Sequence, residues 1–254
     1  MKKRYKNYYF IGIGGIGMSA IARYFHNTGH NVSGYDKTPS ALTARLEKEG
    51  IAIHYEDDIS AIPADKENTF VVYTPAIPHD MGELRYVMEQ GYTVCKRSQA
   101  LGEIARGQKC LAVAGTHGKT TTSTLLAHIL TESGEGCNAF LGGISRNYDS
   151  NQLLSPNPVL VAEADEFDRS FLHLYPDIAV ITSTDADHLD IYLDRSHLQE
   201  AFAQFASQVK EDGFLVLKKG VKISLVGVKA KVLTYSYDNP ADFYASDIVP
   251  LDGG

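Results

Sequence analysis

The stretch Ala114-Gly115-Thr116-His117-Gly118-Lys119-Thr120-Thr121-Thr122 constrains the fold of this chain more than any other. A short apolar run, Leu111-Ala112-Val113-Ala114, leads into it. A helical pattern follows, with Leu125, Leu126, Ile129 and Leu130 on one side and Gly134 at its end. Strand, glycine loop, helix is the context in which backbone N–H groups wrap a phosphate, a lysine holds the outer phosphates and a hydroxyl ligates magnesium. The loop departs from the usual G-x-x-x-x-G-K-[ST] spacing. Its first glycine would fall at Val113, and Gly115 instead gives a tighter G-T-x-G-K-T form. The candidate ATP-binding residues are therefore Gly115, Thr116, His117, Gly118, Lys119, Thr120 and Thr121. The alternative is a glycine-rich turn that only caps a helix. His117 either touches substrate or fills the loop.

A second glycine loop lies near the start. Gly12-Ile13-Gly14-Gly15-Ile16-Gly17 satisfies G-x-G-x-x-G between a strand and a helix, and Asp36 follows the next strand, where a ribose-binding acid is expected. This pattern places a nucleotide diphosphate on a helix N-terminus and fits NAD as well as other nucleotides. Glycines needed only for close helix–strand packing are the other reading. Thr74 follows the fourth strand, at the carboxyl edge where open α/β folds bind ligands. Arg97 opens a helix and is either a cation for the diphosphate or a solvated surface charge.

Around these loops the chain alternates. Strands are predicted over residues 8–13, 31–35, 51–55, 69–74 and 92–95, with helices over 18–27, 40–49, 81–90 and 98–105. Such alternation means a parallel sheet covered by helices. A second α/β unit has strands over 111–114, 159–162 and 178–182 and a helix over 197–208, followed by short strands at 214–217, 223–226 and 232–237. The fold class is α/β: an N-terminal Rossmann-like domain over 1–107 and a P-loop-type ATPase domain over 108–254.

Composition narrows the class. The length of 254 residues suits two domains, and 44% hydrophobic residues can supply a core. A net charge of -7 argues against a nucleic-acid-binding face. Cys95, Cys110 and Cys137 form no C-x-x-C pair, so neither a disulfide framework nor a zinc site is supported, and a reducing, cytoplasmic setting fits. The basic start followed by an apolar stretch mimics a signal peptide, but Gly12, Gly14, Gly15 and Gly17 interrupt it. No apolar run reaches the length of a membrane span.

Two acidic clusters end apolar strands. Val159-Leu160-Val161-Ala162 runs into Glu163-Ala164-Asp165-Glu166-Phe167-Asp168. A strand ending in acids downstream of a phosphate loop is the pattern of a carboxylate that helps hold the Mg²⁺ bridging the phosphates. Without the loop at Lys119 it would read as a solvated acidic turn. Ile178-Ala179-Val180-Ile181 runs into Thr182-Ser183-Thr184-Asp185-Ala186-Asp187-His188-Leu189-Asp190. His188 sits among carboxylates there, as a metal ligand or a phosphate contact, with Asp187 placed to orient it.

Taken in order, these pieces resemble the Mur ligases. The matching residues are Gly12 to Gly17 with Met18-Ser19, Ala114 to Thr122, Glu163-Ala164-Asp165-Glu166 with Ser170-Phe171-Leu172, and Asp187-His188-Leu189-Asp190 with Tyr192. The resemblance implies an N-terminal domain for the UDP of the substrate, a central ATPase domain and a C-terminal domain. It turns the first loop from NAD to UDP, with Gly12, Gly14, Gly15, Gly17, Met18, Ser19, Asp36, Thr74 and Arg97 as its binding residues. It implies ATP and Mg²⁺ and, in the alanine-adding branch, UDP-N-acetylmuramate and L-alanine as substrates. There ATP phosphorylates the lactyl carboxylate and the amine attacks the acyl phosphate. Lys119, Glu163 and His188 would be the catalytic set. Lys119 would hold the β- and γ-phosphates, Thr120 and Glu163 a first magnesium, and His188 a second. A recycling branch that adds a tripeptide, or a nicotinamide-dependent oxidoreductase, are the alternatives. The C-terminal domain, with the amino-acid site, is expected to lie outside these residues, leaving them little ligase activity alone. Two departures stand out. No lysine lies between Leu189 and Val209, where several relatives carry a carbamylated one, and Thr182-Ser183 replaces a common threonine–asparagine pair.

Overall fold

The computed structural model describes residues 5–185 and 195–248. In chain order the elements are β1 (Asn7–Ile11), α1 (Ile16–Asn27), β2 (Asn31–Tyr35), α2 (Ala41–Lys48), β3 (Ala52–His54), β4 (Thr69–Tyr73), α3 (Gly82–Glu89), β5 (Thr93–Lys96) and α4 (Arg97–Ala105). Then follow β6 (Lys109–Ala114), α5 (Lys119–Glu132), β7 (Asn138–Ser145), β8 (Ser150–Leu153), β9 (Val159–Ala164), β10 (Ile178–Ile181), α6 (Arg195–Ser207), β11 (Phe214–Lys218), β12 (Lys231–Ser236) and β13 (Phe243–Tyr244). They form two compact units. One comprises Met1–Gln108 with Ala127–Leu160, the other Lys109–Leu126 with the chain from Val161 onward.

In the first unit five parallel strands run in the order β3-β2-β1-β4-β5. The central strand β1 is buried on both faces, as a helix-covered parallel strand must be. Tyr9 and Ile11 meet Tyr35, Val71, Tyr73, Leu84 and Val87 on one side. Tyr8 stacks on Phe25 of α1 on the other, with ring centroids 3.8 Å apart. Strand β1 carries its glycine loop directly into α1, and Ile11 pairs in register with both Tyr35 and Tyr73. Residues following these three strands therefore gather at one carboxyl edge. The same unit includes the antiparallel hairpin β7–β8, which the sequence patterns did not foretell.

The second unit orders its strands β13-β12-β11-β10-β6-β9, parallel from β6 through β13. Helix α6 buries Leu198, Ala201, Phe202 and Phe205, a helical spacing. Phe171 stacks on Phe205 at 4.9 Å and meets Phe202 edge-on at 5.3 Å. The strand expected over 223–226 is not formed. Val226 is 87% exposed, Gly227 has φ +84°, and Val228 N–H turns back to Leu225 O. An apolar run without a neighbouring ladder has nothing to hold it extended.

All three cysteines are free, with Cys110 and Cys137 buried, and burial pushes the Cys95 and Cys110 thiols up to about 12. Among the described residues no helix is long and apolar enough to cross a membrane.

Gly34 shows how closely β1 and β2 approach. A methyl group there would sit 2.3 Å from the Phe10 carbonyl oxygen. Gly34→Ala must push two buried strands apart, and we expect it to lower unfolding free energy by about 1–3 kcal/mol in urea denaturation. Unchanged stability would show that the strand pair yields freely.

Candidate functional site

In the first unit the structure brings together residues widely separated in sequence. Gly12 adopts φ +88° and donates its N–H to Tyr35 O at 2.8 Å, so the chain turns immediately after β1. A methyl on Gly12 would lie 2.6 Å from Thr74 Cγ2, one on Gly14 2.7 Å from Asp36 Oδ2, and one on Gly17 3.0 Å from an Arg97 guanidinium nitrogen. Each of three glycines thus receives one predicted partner. Helix α1 begins at Gly15 without a side-chain cap and has no acid in its first turn. Uncapped N–H groups, the positive end of a helix dipole and Arg97 over Gly17 make a setting for an anion.

Three of the predicted residues are committed to structure. Asp36 accepts from Gly14 N–H at 2.7 Å and from Thr38 N–H at 3.1 Å, which fixes the loop. The side chains of Met18 and Ser19 are buried. The Ser19 hydroxyl donates to Ile16 O at 2.9 Å and accepts from Asn151 Nδ2 at 3.1 Å. These two side chains pack the helix rather than line a surface.

In the second unit the loop between β6 and α5 turns at Gly115 (φ +133°) and Gly118 (φ +82°). Only glycine fits at 115, since a methyl group would lie 2.1 Å from Thr182 Oγ1. The loop is pinned by the end of β10, the strand paired with β6. Thr182 Oγ1 donates its one proton to His117 O at 2.5 Å and lies 3.1 Å from Ala114 O. Ser183 Oγ accepts from His117 N–H at 2.8 Å and lies 2.9 Å from Thr116 Oγ1. The serine standing where the resemblance expects asparagine is therefore a structural partner of the loop. The His117 side chain is exposed, as are Thr120 and Thr121.

Lys119, at the start of α5, reaches Glu166 through both carboxylate oxygens, at 2.9 and 2.8 Å. Glu166 is fully buried and the lysine side chain only 13% exposed. Burial pushes the Glu166 carboxyl above the usual range, and Lys119 pulls against that shift. Thr120 Oγ1 donates to Glu163 Oε1 at 3.0 Å. The acids after β9 thus divide, Glu163 facing the hydroxyl and Glu166 the ammonium. Glu166 was visible only as part of an acidic run, because pattern alone cannot say which acid points inward. Among the described residues no group of three or more His, Cys, Asp or Glu gathers as a metal site. Asp187, His188 and Tyr192 lie outside the described residues.

A buried carboxylate stripped of its cation is costly. Lys119→Met is expected to destabilise the chain by about 3–5 kcal/mol, and Lys119→Met with Glu166→Leu by markedly less, as measured by urea unfolding. Equal losses in the single and double variants would mean that the pair is not coupled.

Two family signatures cover the chain. The Mur ligase family, catalytic domain, matches residues 7–109, and the Mur ligase middle domain matches residues 113–254. A UDP-N-acetylmuramate--L-alanine ligase of Porphyromonas gingivalis is 54% identical over 254 residues, which cover 98% of this chain and 56% of that protein. The chain thus spans about half the length of the curated relatives it matches. UDP-N-acetylmuramate-alanine ligase from Thermotoga maritima has a TM-score of 0.79 at 28% identity, over 92% of this chain and 53% of its own. UDP-N-acetylmuramate:L-alanyl-gamma-D-glutamyl-meso-diaminopimelate ligase from Neisseria meningitides has a TM-score of 0.82 at 28% identity, over 91% of this chain and 78% of its own. With one signature on each glycine loop, and the middle-domain signature alone covering more than half of its length, the chain belongs to the Mur ligase family.

Proposed function

We propose that this chain carries the UDP-substrate and ATP sites of a ligase that joins L-alanine to the lactyl carboxylate of UDP-N-acetylmuramate, through an acyl phosphate, in cytoplasmic peptidoglycan precursor synthesis. The observation that carries the reading is the convergence of Lys119, Thr120 and Glu163 on one phosphate-type loop. The alanine-ligase relative at 54% identity supplies the choice of substrates. The likeness to a tripeptide-adding ligase rests on 28% identity, and that branch remains the second reading.

The residues fit a magnesium ion. Neighbouring ligands of an octahedral Mg²⁺ lie about 2.9 Å apart, given bonds of about 2.05 Å, and Mg²⁺ favours a few protein oxygens completed by phosphates and water. Thr120 Oγ1 and Glu163 Oε1 stand 3.0 Å apart. When bound there, the ion would screen the phosphate charge. Gly115 and Gly118 let the backbone close around phosphates, with Thr121 contributing a main-chain N–H from the first turn of α5, while Thr116 and His117 spend their N–H groups on Ser183 and shape the loop. Lys119 keeps one N–H donor beyond its two bonds to Glu166 and turns it on the β- and γ-phosphates. The attack of a carboxylate on a phosphate brings two anions together, and fixed cations lower that barrier. In the first unit the diphosphate of UDP sits on the α1 N-terminus under Arg97, with Thr74 beside Gly12 and Asp36 holding the loop open. His188 completes the proposal as the holder of a second magnesium.

Calorimetric titration separates this from a dehydrogenase. UDP-N-acetylmuramate is expected to bind the chain and NAD not to, with UDP-N-acetylmuramate binding retained in Lys119→Ala. Binding of NAD alone would overturn the reading of the first loop. The chain contains no tryptophan, so heat is a better signal than fluorescence.

A further inference from the structure

The first turn of α1 is held from outside its own sheet. Asn151, on β8 of the hairpin, is fully buried. Its Nδ2 donates to Ile16 O at 2.5 Å and to Ser19 Oγ at 3.1 Å. Its Oδ1 accepts from Arg23 Nη1 at 2.6 Å, and Arg23 Nε continues to Glu49 at 2.7 Å. Ile16, Ser19 and Arg23 fall at i, i+3 and i+7, one face of the helix. The network also settles the amide's orientation, since its nitrogen meets two acceptors and its oxygen a cation.

The Ile16 carbonyl and the Gly17 N–H belong to one peptide plane. A rigid peptide cannot turn one group without the other. The first intrahelical bond of α1 runs from Ser19 N–H to Gly15 O, so the Gly17 N–H has no acceptor within the helix. Gly17 is also the residue over which Arg97 lies. Fixing the Ile16 oxygen therefore fixes the direction of an N–H at the anion setting. Donation to that oxygen also polarises the same amide, making its N–H a better donor.

We propose that Asn151 is a positioning residue for the UDP diphosphate, acting through the Ile16–Gly17 peptide. This rests on the reading that the first loop takes UDP. Asn151 touches no ligand. It sets the aim of one donor that does. Arg23 stabilises the same network but holds no atom of that peptide, which separates the two roles.

The test compares Asn151→Ala with Arg23→Met by calorimetric titration of UDP-N-acetylmuramate, alongside thermal melting. Both variants leave a buried polar group unpaired, so both lower the melting temperature. Asn151→Ala is expected to weaken binding about tenfold, and Arg23→Met less than twofold. If Asn151→Ala does not fold, Asn151→Thr withdraws the amide donor while keeping a hydroxyl for Arg23, and the same weakening is expected. Wild-type affinity in the Asn151 variants, or losses that track the melting temperature in both positions, overturns the proposal. Failure of the unsubstituted chain to bind UDP-N-acetylmuramate defeats the ligand reading itself, and the proposal with it.

Discussion

A parallel strand has to hand the chain to a crossover before its neighbour can begin, so every strand of such a sheet releases its loop at the same edge. That constraint organises both units. In the first it stacks the loop after β1, the Asp36 turn after β2 and Thr74 after β4 around one helix N-terminus. In the second it sets the phosphate-type loop after β6 beside the Thr182–Ser183 step after β10. Two ligand-ready loops follow from one backbone rule applied twice, with glycine wherever a partner comes too close for a side chain.

The two loops are stabilised differently, and the difference matches the chemistry proposed for each. The first is held mainly by hydrogen bonds to the backbone, with an aspartate holding its loop and an arginine standing over the helix. Such a setting suits the role proposed for it, holding a diphosphate that is not itself transformed. The second is charged. A fully buried Glu166 holds Lys119 by two bonds, and Glu163 waits beside an exposed threonine hydroxyl. A buried carboxylate demands a cation, and Lys119 supplies it. Preorganised charge of this kind is what a reaction between anions requires.

Local pattern revealed the elements that carry these loops, since strand, glycines and helix are written consecutively in the chain. The places of Asp36, Thr74 and Arg97 beside the first loop were also legible, because the end of a parallel strand is a predictable place. What it missed depends on neighbours. Whether Glu163 or Glu166 turns inward, and that Thr182 and Ser183 pin the loop, follows from β10 lying beside β6. The hairpin β7–β8 was missed because neither strand alternates: β7 carries a consecutive apolar run, Ala139-Phe140-Leu141, broken by two glycines, and β8 is mostly polar with Asn151 and Gln152 buried. Met18 and Ser19 extend a recognisable motif, yet helix geometry turns them inward. The apolar residues at 223–226 mimicked a strand that no neighbour supports.

The central claim is that each loop has its own ligand. Hydrogen–deuterium exchange, with UDP-N-acetylmuramate and a magnesium-bound non-hydrolysable ATP analogue added separately, tests it most directly. The account predicts protection over residues 12–19 and at Arg97 with the first ligand. It predicts protection over 115–122 and 163–166 with the second. A common footprint for both, or an ATP footprint on the loop after β1, would contradict it.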